Sequence, residues 1–471
     1  MKSADTARPV PIASQRQWLP LVLTALSGPV LILLGLATGA WLLLSALAAG
    51  AVLIALSILD IRAAFVIGAL LCTFVDYNTG ILALEMSIVV AWALWTCLLL
   101  VWRSAWSGWV LPPREMLPSL IVWLIACFLG VVVGLIRGSP LRNLGLELEA
   151  ALWPLAGLLM MQVFRRRYAI YAGVGLVLIG LIHTAFGLTM LQIHQRRLGG
   201  IYFTTVTGVA AVMLWAAALL APQARFRRYC LLLMIPLLAH LLFSFTRGYW
   251  LGALAGFVVA TILAWGNLGR QGVPVGHRLR RVAPFVAVAA VTAALSLLYF
   301  GSTRLLDAVG GRFGSSFSTQ VSGETMSNVI RLAEYDAAIG AALRSPIIGS
   351  GLGHAIVTRE PVLGTIREQW FVHNYYLLLW LKLGIIGLLA FGFLIWRQLR
   401  AAKRLADRDE SWTARAVAIT AIAVTVQLLV ILATNYSLAD VNSAAVFAYL
   451  WGMFWSVRSD GTDAGGSARS A

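Results

Sequence analysis

The sequence predicts an all-α, polytopic integral membrane protein of about 12–14 transmembrane helices with one large periplasmic loop. Three observations carry that prediction. First, 60% of the 471 residues are hydrophobic and only 12% charged, with a mean hydropathy of +0.85. A water-soluble globule of this length has too little interior to hide so much apolar surface. Second, apolar runs of the ~20 residues needed to cross a bilayer core recur along the chain, without the alternating ~10-residue pattern of a barrel. Third, the formal charge of +17 lies in short clusters between apolar runs and is not gathered on one face. That distribution reads as membrane topology and argues against a nucleic-acid partner.

Taken in order, residues 1–17 form a cytoplasmic tail carrying Lys2, Arg8 and Arg16. From Leu19 the chain runs into a full-length span with no cleavage pattern after it, which predicts an uncleaved first helix. Residues 18–300 hold the first eleven spans, near 18–36, 41–59, 62–76, 81–102, 117–136, 148–164, 168–190, 200–220, 229–246, 248–265 and 282–300. The third and sixth are short, and Pro154 interrupts the sixth. The run from Tyr229 to Trp265 exceeds one span at about 1.5 Å per residue, so its single break, SFTRGYW, predicts a tight helical hairpin with Arg247 and Gly248 at the tip. The four cysteines all fall in apolar runs and predict neither a disulfide framework nor a metal site.

Residues 301–370 form the large loop. It begins Gly/Ser-rich and turns helical from Ser327, where Ile330, Leu332, Tyr335, Ile339 and Leu343 fall near helical spacing. This predicts an amphipathic helix on the bilayer surface, ended by Pro346 and the GSGLG run at 349–353. Three more spans follow within 371–457, near 371–396, 413–434 and 440–457, and residues 458–471 read as a disordered cytoplasmic tail. With both termini in the cytoplasm, the clusters at 165–167, 225–228 and 397–404 all fall inside, as the positive-inside rule requires.

The same topology brings Arg196, Arg197, Arg247 and His373 to the outer face. Arginine at membrane depth is expensive and usually functional, and guanidinium forks suit a diphosphate because they stay charged and bond oxyanions in pairs. His373 is a candidate general base for a hydroxyl, because imidazole as a side-chain type suits that role, and His354 is a weaker candidate. Arg331, Tyr335 and Asn374 are further loop or acceptor candidates. Glu324, Glu334, Asp336, Glu360 and Glu368 occur singly, lack the pairing that holds Mg²⁺, and read as solvated loop charges. His183 and His240 lie within spans, where packing is the default. Lys382 sits about 13 Å along the helix from His373, where an unpaired ammonium costs about 2.5–3.5 kcal/mol. Glu85 is the buried carboxylate the sequence offers it.

Four segments together resemble the bacterial O-antigen ligase and polysaccharide polymerase superfamily: RRLGGIYF at 196–203, FSFTRGYWLG at 243–252, RLAEYDAAIGAALRSPIIGSGLG at 331–353 and HNYYLLLWLKLGIIGLLAF at 373–391. The resemblance spans about 180–400. It implies an integral-membrane glycosyltransferase of GT-C type that moves a glycan from undecaprenyl diphosphate to an acceptor hydroxyl, on lipid A core or a growing polysaccharide, at the periplasmic side of the inner membrane. By the same resemblance, Arg197 and Arg247, with Arg196 beside them, bind the diphosphate. His373 then activates the acceptor, with inversion and with neither metal nor cofactor. Lys382 departs from the family, whose members commonly carry an acidic residue there. A flippase or other transporter of lipid-linked oligosaccharide is the rival reading, although its related halves and midplane polar sites are not visible here.

Overall fold

The computed structural model describes residues 52–58, 60–74, 91–92, 94–101, 113–164, 169–194, 201–244, 246–300, 323–359, 364–409 and 411–466. The N-terminal tail, the span near 18–36, the first part of the span near 41–59, Glu85, the pair Arg196 and Arg197, the Gly/Ser-rich start of the loop at 301–322 and the last five residues lie outside them. Two compact units are formed, residues 1–68 with 92–106 and residues 69–91 with 107–471. In the first, Trp92 and Trp95 donate their indole N–H groups to the Ala64 carbonyl and the Ser57 hydroxyl, both at 2.8 Å.

The described chain is helical apart from one hairpin. Its elements are α1 (Ile61–Phe74), α2 (Leu117–Ile136), α3 (Leu141–Ala151), α4 (Trp153–Met161), α5 (Ala169–His194), α6 (Ile201–Leu220) and α7 (Ala224–Phe243). There follow α8 (Arg247–Arg270), α9 (Val275–Phe300), α10 (Gly323–Arg344), strands β1 (Ile356–Arg359) and β2 (Ile366–Gln369), α11 (Tyr375–Arg408), α12 (Trp412–Leu432), a 3₁₀ turn at Ser437–Ala439 and α13 (Val441–Gly466). Among the described residues α2, α7, α8, α11 and α12 are long and apolar enough to cross a membrane, and the pair α3 and α4, bent by 44°, makes a sixth if it is one span. Pro154 sits in the first turn of α4, where a missing N–H costs nothing, and the bend falls just before it. The fold is thus all-α and polytopic.

The helices of the second unit close on one another through small residues. A Cβ on Gly252 of α8 would stand 2.8 Å from the Gln427 carbonyl of α12, and one on Gly157 of α4 would stand 3.1 Å from the Ala448 carbonyl of α13. Without water to drive association inside a bilayer, such close backbone approach supplies the packing. Trp123, Trp215, Trp451 and Trp455 fill the interior. At the end of the bundle where α2 begins and α11 stops, Glu115 joins three helices. Its carboxylate pairs with Arg404 at 2.6 Å and Arg458 at 2.9 Å, and its carbonyl accepts from Arg397 Nε at 2.8 Å. Arg458 also donates to the Ala401 carbonyl at 3.1 Å, and α13 runs on to Gly466 through the stretch that composition assigns to a disordered tail.

Two features position the site. The break in the SFTRGYW stretch falls at 244–246, so Arg247 is the first residue of α8. And α11, which the sequence presents as one apolar helix, is broken at Gly384, whose φ of 66° and ψ of −167° are open only to glycine. The loop after α10 fills that break. Ser350 and Gly351 donate N–H groups to the Leu381 and Lys382 carbonyls at 2.7 and 2.9 Å, and Ile385 donates to the Pro346 carbonyl at 2.9 Å. Leu352 N–H reaches Gly130 of α2 at 2.9 Å. The backbone groups freed by the break are therefore satisfied by the loop, which a buried helix interruption requires.

Candidate functional site

The loop that fills α11 is fastened by a buried ion pair. The Lys382 ammonium bonds the Glu147 carboxylate and, at 2.5 Å, the His354 carbonyl, while the other Glu147 oxygen accepts the Gly353 N–H at 2.7 Å. Lys382 and Glu147 are almost wholly buried. The sequence offers Glu85 for this role; the structure gives the role to Glu147. The predicted span begins one residue later, at 148, and so leaves Glu147 in a loop, whereas α3 runs back to Leu141 and carries it into the interior.

Just ahead of α11, residues 371–374 form the mouth. Asn374 is the N-cap: its side-chain oxygen accepts the Leu377 N–H at 3.0 Å and its amide donates to the Ala433 carbonyl at 3.1 Å. The cap fixes the backbone at His373 against the end of α12. The His373 imidazole meets Glu334 of α10, Nδ1 to Oε2 at 2.7 Å. Glu334 is 3% exposed, so it is not the solvated loop charge its isolation in sequence suggests. The α10 register explains this. The face carrying Glu334, Ala338, Ala341 and Ala342 is buried, while Leu332, Ile339 and Leu343 are exposed.

An ionised carboxylate only accepts, so the proton of this bond sits on Nδ1 and, in the neutral ring, Nε2 carries the lone pair. Burial pushes the Glu334 carboxyl up, but the His373 hydrogen bond and charge, with further bonds from Gln369 and the His373 backbone, hold it below the ordinary carboxylate value. Tyr335 donates its hydroxyl to the His373 carbonyl at 2.9 Å. Its own pKa is raised, first by burial and then by Glu334, against the charge of Arg331, so it remains a donor. Arg331 is half-buried one turn before Tyr335. The His373 ring keeps about a quarter of its surface, 24%, open. Phe371 and Tyr436 flank it edge-on, with centroids at 5.4 and 5.6 Å, and face each other at 4.7 Å.

Tyr436 shows that the segment after α12 is part of the site, a contribution the sequence reading misses. This segment also meets the start of α8. Thr434 packs on Gly248, and the Tyr249 hydroxyl lies 3.5 Å from both Ser437 Oγ and Asn435 Nδ2 and 3.4 Å from Thr205 Oγ1. Arg247 and His373 thus belong to two helix starts that rest on one short segment, residues 433–437. The signal available in sequence was its composition: TNYSLADVNS is a polar run between two apolar helices.

His354 stands apart from this grouping. Its carbonyl is committed to Lys382, and its imidazole pKa is lowered by burial and then by the charges of Lys382, Arg137 and Arg344, against Glu368. The hairpin β1–β2, register Ile356 to Gln369, links it to the mouth and was not foreseen. Among the described residues no three His, Cys, Asp or Glu side chains group closely enough to hold a metal ion.

Residues 231–392 match the family model described as O-antigen ligase. No curated protein gives a significant match to the chain. That segment contains Arg247, Glu334, Tyr335, His373 and the glycine loop, and three of the four sequence segments that carry the resemblance lie within it. The protein is a membrane protein in which residues 231–392 resemble the O-antigen ligase family, and that likeness supports the O-antigen ligase and polysaccharide polymerase superfamily and an O-antigen ligase-like role in polysaccharide biosynthesis.

Proposed function

We propose that the protein transfers a glycan from undecaprenyl diphosphate to a sugar hydroxyl at the periplasmic face of the inner membrane, with both termini in the cytoplasm. The observation that carries this reading is the Glu334–His373 pair, held at 2.7 Å at a mouth that shares its supporting segment with the helix start at Arg247. Base and diphosphate cation then face one reacting centre.

In the proposed step His373 Nε2 takes the proton of the acceptor hydroxyl while its oxygen attacks the anomeric carbon. The bond from that carbon to the diphosphate oxygen breaks, and undecaprenyl diphosphate leaves with the electron pair. Arg247, with Arg196 and Arg197, takes up the charge that grows on the leaving oxygen, in place of a metal. Glu334 holds the imidazole in the Nδ1–H form and stabilises it once both nitrogens are protonated. A single displacement inverts the anomeric centre. The faces of Phe371 and Tyr436 suit the apolar side of a sugar ring. The acceptor is lipid A core in a ligase and a growing polysaccharide in a polymerase.

Purified protein supplied with a lipid-linked glycan and an acceptor tests the reading. It predicts release of undecaprenyl diphosphate in step with acceptor glycosylation. Translocation of intact lipid-linked glycan without bond cleavage would replace it with transport. In a deletion strain, accumulation of lipid-linked polymer identifies a ligase and accumulation of single repeats a polymerase.

A further inference from the structure

At the end of the bundle opposite His373 lies a groove of about 240 Å³ between the starts of α5, α7 and α12 and the end of α6. Its walls include Val177, Leu178, Met213, Phe226, Tyr229 and Trp412. They are almost wholly apolar, so water has nothing to bond there. Leu178 and Tyr229 are 51% and 63% exposed, so the groove opens outward. Trp412 and Phe226 close its end at a ring distance of 5.5 Å.

The rim is charged. Arg225 and Arg228 are exposed near the start of α7, and Arg225 precedes Tyr229 and Leu233 of the groove on one helix stripe, at spacings of four. Gln223, the N-cap of α7, gives no side-chain hydrogen bond to the helix, so its side chain satisfies none of the first N–H groups of that turn. Across the groove the N-cap of α12, Ser411, likewise gives no side-chain hydrogen bond to its helix, and Arg415 in the first turn of α12 is engaged with the Asp409 carbonyl at 3.3 Å. Arg225 and Arg228 supply the positive charge on the α7 side of the rim.

An alkyl-sized apolar groove that ends at two guanidiniums and a helix N-terminus is complementary to a lipid with an anionic head. We propose that this groove is a binding site for an anionic phospholipid, with one acyl chain between α5, α7 and α12 and the phosphate at Arg225 and Arg228. The site is separate from the glycan-transfer chemistry, since α12 places Trp412 about 30 Å from Ala433 beside the His373 mouth.

Full-length protein, purified in detergent and analysed by native mass spectrometry, tests the assignment with two probes of identical acyl chains, phosphatidylglycerol and phosphatidylcholine. The wild type is expected to hold one phosphatidylglycerol about tenfold more tightly, as two arginines near an anionic headgroup supply. The exposed substitution R225Q/R228Q removes that preference and leaves both lipids bound equally weakly. G173L, which adds bulk to the groove wall, weakens both. Equal retention of the two lipids by the wild type, or an undiminished preference in R225Q/R228Q, overturns the proposal. So does displacement of phosphatidylglycerol by an equimolar amount of undecaprenyl phosphate, which would assign the groove to the donor's chain.

Discussion

Replacing Glu334 by glutamine keeps the shape of the side chain and removes its charge. In the wild type the carboxylate can only accept, which fixes the proton on His373 Nδ1. An amide at the same place offers an N–H as readily as an oxygen. When the N–H faces the ring, it forces the opposite tautomer and leaves Nε2 protonated and useless as a base. In the proposed step the imidazolium would also lose its counter-charge at 2.7 Å. General-base catalysis is worth about 10²–10⁴ in rate, or about 2.7–5.4 kcal/mol at 1.36 kcal/mol per decade, and E334Q forfeits much of it. Transfer from a labelled lipid-linked donor by purified protein separates kcat from KM. The expected result is a fall in kcat of at least about 10² with little change in donor KM, because the loss is confined to the transition state. An E334Q protein within twofold of wild-type kcat would refute the dyad.

Three further outcomes follow from the geometry. Because burial is outweighed by its bonds to His373 and Gln369, Glu334 titrates below the ordinary carboxylate value. Its contribution to stability is complete above the unfolded carboxylate pKa and is lost as pH falls through the lowered value, so E334Q should flatten the acid limb of a thermal-unfolding profile. K382M strands the Glu147 carboxylate and should lower stability by about 3–5 kcal/mol, read as loss of folded protein in detergent, while the exchange K382E/E147K restores much of it. G384A places a Cβ against the Ile347 carbonyl in a backbone region reserved for glycine, at a strain of about 1–3 kcal/mol, and should lower both the melting temperature and transfer; unchanged values would contradict the docked loop.

The class of fold was legible because a bilayer leaves so little choice: long apolar runs must be helices, and the SFTRG break at 244–246 had to fall where the run became too long. The places of His373 and Arg247 at helix starts were legible for a related reason, since polar groups at helix mouths stand out against apolar sequence. What was hidden depended on pairs distant in the chain. Glu334 and His373 are separated by 39 positions and Lys382 and Glu147 by 235, and no local pattern joins them. Glu334 read as a loop charge because the buried face of α10 is made of alanines, which carry weak hydrophobic periodicity. The break at Gly384 was equally silent, because a glycine within an apolar helix is unremarkable until a loop is found seated against it. Tyr436 was overlooked because its segment is short and lies between two strong spans.

The central claim is that Arg247 and His373 act on one reacting centre, and single-turnover transfer measures it most directly. Wild-type, R247A and H373A proteins are purified to equal folded yield and mixed with a labelled glycan on undecaprenyl diphosphate and an acceptor. The account predicts acceptor glycosylation and diphosphate release by the wild type, with both abolished in each variant while the proteins remain inserted and folded. Wild-type rates of transfer in R247A and H373A would contradict it.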